Sequence, residues 1–454
     1  MEADREERRS EMGANRPLRK VAPTRWARLR RFGIRKKRQD VDRALQCMVQ
    51  WAYKTVPAYR SLYDAAQSQP ETFRGLIDLP SLPIVDREAF AIDTPIEDRV
   101  CRSADLTKLV SRLTSGTQGL PTRVLMSRTE ALFRRLLIVR AWRYAVSVRL
   151  PLTVIDVGIR EDPHAEPEIS WHGAIRLVRV PLLRLGETDI RFLARFRRAI
   201  LAGYPSSLSL LADHLEEQSG DLSLRIVATR GEVLHARMRQ RLERFFGCRV
   251  VDYYNCEEIG NMAWQCPADP STMHVNTDAC VLEIVDDAGD PVPLGEEGRI
   301  LVTNLYNRTM PFIRYDLCDR GALLSNHGEP CACGSRQPRI GLVEGRDDDC
   351  LILTNGTRLS PRVVATVVEQ TAVGLHPDST WSAPFRQYRV VQDAVDHITV
   401  CVAPVSEPDP ALESAVADAF RRIDPDMICS VTWVDGLPTA RSGKFRKIMR
   451  LLSV

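Results

Sequence analysis

Cys266, His274, Cys331 and Cys333 form a Cys-x7-His pair followed at a distance by a Cys-x-Cys pair. Three thiolates and one imidazole make a suitable tetrahedral zinc set, and a β-rich region can bring two such pairs together. The spacing is unlike that of a zinc finger, so scattered buried thiols account for these residues equally well. A second cluster is TSGTQGLPT at residues 114–122, comprising Thr114, Ser115, Gly116, Thr117, Gly119 and Thr122 around Gln118. Glycines beside hydroxyl residues let backbone N–H groups and side chains converge on an anion. A Walker-type loop would end in GKS or GKT, and this one does not. A ligand-free turn reads the same residues as well.

Other groups stand singly. Gly231 and Glu232 follow a strand pattern ending near Thr229, where a short turn into a helix is sufficient reason for them. Tyr254 and Glu258 lie in YYNCEEIG, Asp319 ends PFIRYDLCD, Asp348 and Gly356 lie in GRDDDCLILTNGTRLSP, and Lys444 ends PTARSGK. One carboxylate is enough for Mg²⁺, which is completed by phosphate oxygens and water. Taken alone, an exposed acid, a charged linker and a surface lysine are the commoner fates of Asp319, Asp348 and Lys444.

In order, however, these segments resemble the motif series of the adenylate-forming (AMP-binding) superfamily. TSGTQGLPT is similar to its (S/T)SG(S/T)TGxP(K/T) loop, with Thr122 in the form typical of phenylacetate–CoA ligases. YYNCEEIG resembles YGxTExG, PFIRYDLCD resembles PxIRYxTGD, residues 345–361 resemble GRxDDxIxxxGxxxxP, and PTARSGK resembles PRTxxGK. The resemblance runs from Thr114 to Lys444 and is closest to the phenylacetate–CoA ligase branch and its capsule-biosynthesis relatives; GYPS at residues 203–206 has the same flavour. That branch includes members with the Cys/His layout seen here, including Gly334, which implies a structural, closed Zn²⁺ site. Gln118, Asn255, Glu257 and Cys318 depart from the family pattern. Asn255 and Glu257 fall near the expected adenine and acyl positions, so they bear on substrate class more than on nucleotide use.

The resemblance implies an enzyme that activates a small carboxylic acid, aromatic or arylacetic, as an acyl-adenylate and passes it to CoA. It implies ATP bound by the 114–122 loop, by Gly231, Glu232 and Tyr254 at adenine, and by Asp319 at the ribose. Glu258 would hold Mg²⁺, and Lys444 would reach the acyl carboxylate and α-phosphate. Asp348 would be the hinge, and Gly356 would lie in the thioester loop. Two rivals stand beside this: an adenylating ligase that transfers to an amine, carrier protein or other nucleophile, and a zinc-stabilised nucleotide-binding protein without turnover. The resemblance also allows a homodimer.

The elements that must position these groups follow from periodicity. Helical spacing marks residues 41–63, 130–144, 208–216 and 234–246, and β-branched runs mark strands at 153–157, 224–228 and 249–253. This alternation predicts α/β layers on a largely parallel sheet. Closely spaced strands at 281–285, 298–303 and 313–315 predict a more antiparallel, β-rich subdomain. Beyond Gly345 the order is strand, helix, strand, strand, helix, strand, a compact α+β domain of about 110 residues. The expected organisation is a basic arm at 1–40, a large α/β adenylation domain at 41–344, and a small mobile α+β lid at 345–454.

Composition agrees with a soluble globular protein. The 454 residues exceed what one core usually supports, and 44% hydrophobic with 27% charged residues is ordinary. A net charge of +4 makes no case for nucleic acid, although residues 16–38 hold eleven Lys or Arg and no acid. We read that run as a solvated or disordered arm. Absence of an apolar leader or a long apolar run predicts no secretion signal and no membrane span. Twelve unevenly spaced cysteines predict a reducing, cytoplasmic location.

Overall fold

The computed structural model describes residues 38–87, 89–113, 123–145, 152–158, 168–172, 175–182, 190–218, 220–343, 345–346, 349–375, 385–404, 407–438 and 445–452. They belong to one unit, Lys36–Val454. The expected arm at 1–40 lies almost wholly outside the described residues.

The single helix expected at 41–63 is two helices, Arg38–Thr55 and Pro57–Ala65. Pro57 disfavours helical backbone at the preceding residue, and Val56 is extended at φ −109°, ψ 113°. Pro57 then opens the second helix, where its missing N–H is harmless. Leu45, Met48, Val49 and Ala52 from the first helix, with Tyr59 and Tyr63 from the second, are buried in one apolar cluster.

The centre of the molecule is a parallel run of strands in the spatial order Ile175–Pro181, Leu152–Gly158, Ala199–Gly203, Leu224–Arg230, Val250–Cys256. Alternate residues of these strands face two different cores, as period-two side chains require. Ile155, Leu201, Val227 and Val250 pack with helices Pro205–Glu217 and Ala236–Phe246. Val154, Ile200, Ile226 and Val251 pack with Val139, Ala141 and Trp142 of helix Arg128–Ala145. Burial on both faces explains why these strands read as short apolar runs.

Past Val250–Cys256 the pairing turns antiparallel, through Gly260–Gln265, Thr272–Val275, Arg339–Gly341, Tyr315–Ser325, Glu297–Asn304 and Cys280–Val285. The strand expected at 313–315 begins only at Tyr315. Arg314 has φ +46°, the Ile313 N–H donates to Tyr59 Oη at 2.8 Å, and the Arg314 N–H donates to Thr303 Oγ1 at 3.0 Å. Side-chain acceptors and a left-handed residue remove this stretch from the ladder.

The C-terminal region builds a separate four-stranded sheet in the order Ile428–Trp433, His397–Pro404, Phe385–Ala394, Ile448–Arg450. Helices Pro361–Leu375 and Pro410–Ile423 cover it through Val364, Val368, Leu412, Val416 and Phe420. Asp409 caps the second helix by accepting from the Ala411 N–H at 2.9 Å. The whole is a mixed α/β fold with a large sheet. Among the described residues, no helix is long and apolar enough to cross a membrane.

Candidate active site

In a parallel α/β sheet the functional crevice lies beyond the carboxyl ends of the strands. Here those ends lead into Tyr204, the Gly231–Glu232 turn and the pair Glu257 and Glu258. Gly231 has φ +76°, and a Cβ there would come within 2.6 Å of Tyr204 Cε1. The turn therefore needs glycine for both its backbone and its close approach to the ring. Gly231→Ala is expected to destabilise the protein by at least about 1–2 kcal/mol, measured by urea unfolding.

The Glu232 carboxylate accepts three hydrogen bonds. Oε2 accepts from the Ser206 N–H at 3.1 Å, and Oε1 accepts from Ser206 Oγ at 2.9 Å and from the Phe445 N–H at 2.8 Å. Helix Pro205–Glu217 has no side-chain cap of its own, so Glu232 supplies an anion to its first turn from the next loop. Behind this turn Arg230 pairs with Asp156.

Tyr254 and Asp319, 65 residues apart, are joined: the tyrosine hydroxyl donates to Asp319 Oδ2 at 2.6 Å. Glu258 is buried, with Tyr315 Oη donating to its Oε1 at 3.4 Å and Arg87 Nη2 at 3.8 Å. Asp316, one residue beyond Tyr315, accepts from the Cys318 N–H at 2.8 Å and from Arg299 Nη1 at 2.8 Å. Burial raises the Asp316 carboxyl above its usual range, opposed by those two donors. Cys318 sits at φ +56°, the conformation for which the family pattern places a glycine. Glu257 is held by Arg134 Nη2 at 2.8 Å and Arg112 Nη1 at 3.4 Å, and Arg134 also donates to the Cys256 and Glu257 carbonyls.

Gly356 occupies an exposed turn with φ +82°, its N–H donating to the Leu353 carbonyl at 2.8 Å. Thr354 anchors that turn through two bonds to Asp424, both 2.7 Å. Thr114, Ser115, Gly116, Thr117, Gly119, Thr122, Asp348 and Lys444 lie outside the described residues.

The two cysteine-containing pairs converge. Thr272–Val275 pairs antiparallel with both Gly260–Gln265 and Arg339–Gly341, which sets His274 beside the turn carrying Cys331 and Cys333. The ligating atoms of Cys266, His274, Cys331 and Cys333 all lie within 4.8 Å of one another. Cys266 and Cys331 Sγ are 3.6 Å apart, and His274 Nε2 is 3.1 Å from Cys333 Sγ. No disulfide joins any of the twelve cysteines. Edges of this size fit a tetrahedron of zinc–sulfur and zinc–nitrogen bonds of about 2.3 and 2.0 Å. The other ring nitrogen, Nδ1, faces the Gln337 carbonyl at 3.4 Å, the outer-shell partner a ligating histidine ordinarily has. The donor set fits zinc.

Comparison with known proteins adds ancestry to this geometry. The family described as AMP-binding enzyme matches residues 172–307. A phenylacetate-coenzyme A ligase of Thermus thermophilus is 26% identical over 337 residues, covering 72% of this chain and 74% of that protein. One from Escherichia coli is 27% identical over 319 residues, covering 68% and 71%. The AMP-binding match and these relatives together support the adenylate-forming superfamily. All four relatives are named phenylacetate-coenzyme A ligase and support that branch for this adenylate-forming ligase. A solved 2-hydroxyisobutyryl-CoA ligase, 20% identical, shares the fold with a TM-score of 0.71 over 91% of this chain and 89% of that one.

Within this ligase, sequence reasoning did not find Arg87, Arg112, Arg134, Asp156 or Arg230. They carry no motif, and single arginines in sequence give no sign of the carboxylates they meet. The position of Glu257 in a motif was visible, but its two arginine partners were not.

Proposed function

We propose that the protein uses ATP to convert a small carboxylic acid, aromatic or arylacetic in keeping with the names of its relatives, into an acyl-adenylate, then transfers the acyl group to CoA. The observation that carries this reading is the tie between Tyr254 and Asp319, set beside buried Glu258. Tyr254 and Asp319 come from two distant motifs and meet across the large sheet, and Glu258 follows Tyr254 by four residues in the same motif.

In the first half-reaction a carboxylate oxygen attacks the α-phosphorus. The bond from that phosphorus to the bridging oxygen breaks, and pyrophosphate leaves with the electron pair. Such chemistry depends mainly on positioning and charge neutralisation. The 114–122 loop would face the phosphates and Gly231 the adenine. Asp319 would accept from the ribose hydroxyls while Tyr254, whose hydroxyl it already holds, keeps its ring against the base. Glu258 would hold Mg²⁺: its two oxygens offer about four lone-pair sites, of which Tyr315 takes one. When bound, that ion would neutralise triphosphate charge. Lys444 would stabilise charge developing between the acyl carboxylate and the α-phosphate.

In the second half-reaction the CoA sulfur attacks the acyl carbonyl, AMP leaves with the C–O electrons, and the thiol proton passes to solvent. Division of the chain near residue 345, hinge motion at Asp348 and presentation of the turn at Gly356 belong to this proposal. So do the structural zinc and a cytoplasmic location, where ATP and CoA are supplied.

The test is acid-dependent ATP–pyrophosphate exchange over aryl, arylacetic, fatty and amino acids. Exchange with one acid class, falling about 10²–10³-fold in Lys444→Ala, is the expected result. A thioester product on adding CoA then excludes an amine or carrier-protein acceptor. No exchange with any acid, in folded and metal-loaded protein, counts against adenylation itself.

A further inference from the structure

We propose that Glu232 is a positioning residue that registers the C-terminal segment beginning at Phe445 against the first turn of helix Pro205–Glu217 during adenylation. This rests on the function proposed above. The Phe445 N–H is the first described donor after Lys444, and chain geometry keeps adjacent Cα atoms about 3.8 Å apart. Phe445 is buried, and the ladder between Phe385–Ala394 and the last strand begins only at Ile448. A buried N–H outside the ladder requires another acceptor. Glu232 provides it from 213 residues away in sequence, at 2.8 Å.

The same segment is fixed from its other side. Arg389 Nη2 donates to the Pro438 carbonyl at 2.6 Å, and Arg389 Nε donates to the Arg446 carbonyl at 3.0 Å. The Arg389 guanidinium also lies over the Phe445 ring, 5.0 Å from its centroid. Lys447 Nζ pairs with Glu369 at 2.9 Å, and Arg446 pairs with Asp349. Arg389 thus holds Pro438 and Arg446 to the small sheet, while Glu232 ties Phe445 to the large one.

Glu232 holds Ser206 through two further bonds, at the first turn of helix Pro205–Glu217. One carboxylate therefore sets two registers at once: the helix at the end of strand Ala199–Gly203, and the segment that follows Lys444. Phe445 donates to a carboxylate oxygen that also accepts from Ser206 Oγ. If the C-terminal region moves between half-reactions, this bond must break, so Glu232 should serve the first half-reaction and not the second.

The experiment compares wild type, Glu232→Ala and Glu232→Gln as full-length chains in three measurements. Acid-dependent pyrophosphate exchange reads adenylation, and transfer from synthetic acyl-adenylate to CoA reads the second step. Hydrogen exchange of the Phe445 amide needs no turnover. Glu232→Ala is expected to lower the adenylation rate about ten- to a hundredfold. Transfer from acyl-adenylate should fall less than adenylation does, and the Phe445 amide should exchange faster. Glu232→Gln keeps a carbonyl acceptor and should recover much of the loss. Equal losses in both half-reactions, or a raised KM for ATP at unchanged kcat, would overturn the proposal. If wild type shows no adenylation with any acid, the parent reading has failed instead. Amide exchange then decides on its own: protection unaltered in Glu232→Ala refutes the link.

Discussion

Arg314→Ala should destabilise the protein by about 3–5 kcal/mol, with a larger loss at pH 8 than at pH 5. Arg314 is the arginine of the IRY segment, and its side chain is only 3% exposed. Its Nε donates to Glu283 Oε1 at 3.1 Å. Nη1 donates to the Pro80 and Leu82 carbonyls at 2.9 and 2.6 Å, and Nη2 to the Gly289 carbonyl at 3.1 Å. Removing it leaves three carbonyls and a buried carboxylate without their donor. Burial pushes Glu283 up to about 7, and Arg314 works against that rise. Without the arginine the folded-state pKa moves higher still, further above its unfolded value. The folded variant then keeps a proton that the unfolded chain releases, so stability is fullest below the unfolded pKa and is lost as pH rises through the folded one. Denaturant unfolding at the two pH values measures both the size and the slope. A loss that is equal at pH 5 and pH 8 would show that Glu283 does not depend on this cation.

Cys331→Ser or His274→Ala is expected to abolish stoichiometric zinc and to cost several kcal/mol of stability, because binding of a structural metal is folding free energy. Metal analysis of wild type prepared without chelator should give about one zinc per chain, and thermal unfolding should fall on chelation. The site would be closed by four protein ligands, leaving no position for water or substrate. Any loss of activity should therefore follow the loss of fold as temperature is raised, with no separate effect on the chemical step at low temperature. Zinc well below one equivalent in folded wild type would return the four residues to the alternative reading of buried thiols.

The fold was legible where periodicity was strong. The helices at 130–144, 208–216 and 234–246 appear with ends shifted by at most three residues, because each has an apolar stripe that the sheet buries. Both faces of the parallel strands are covered, so their apolar runs survive in the sequence as a signal. Strand Thr272–Val275 gave none: it carries a buried histidine and a threonine whose burial depends on the strands beside it. Pro57 was in view, yet the break it causes at Val56 was masked by an apolar pattern continuous on both sides of it.

The order of the motifs resembled that of the adenylate-forming superfamily, and that resemblance singled out Gly231, Glu232, Tyr254, Glu258 and Asp319. What only the tertiary structure decided is which of them touch. Tyr254 reaches Asp319 because strands Val250–Cys256 and Tyr315–Ser325 are carried into one sheet by the strands between them. Two cysteine-containing pairs become one tetrahedral set because His274 lies in a strand between their backbones. Glu232 meets Phe445 across the junction of two sheets. Spacing along a chain constrains local geometry over a few residues. Contacts between segments 65 to 213 residues apart depend on how sheets pair and pack, and single side chains do not encode that.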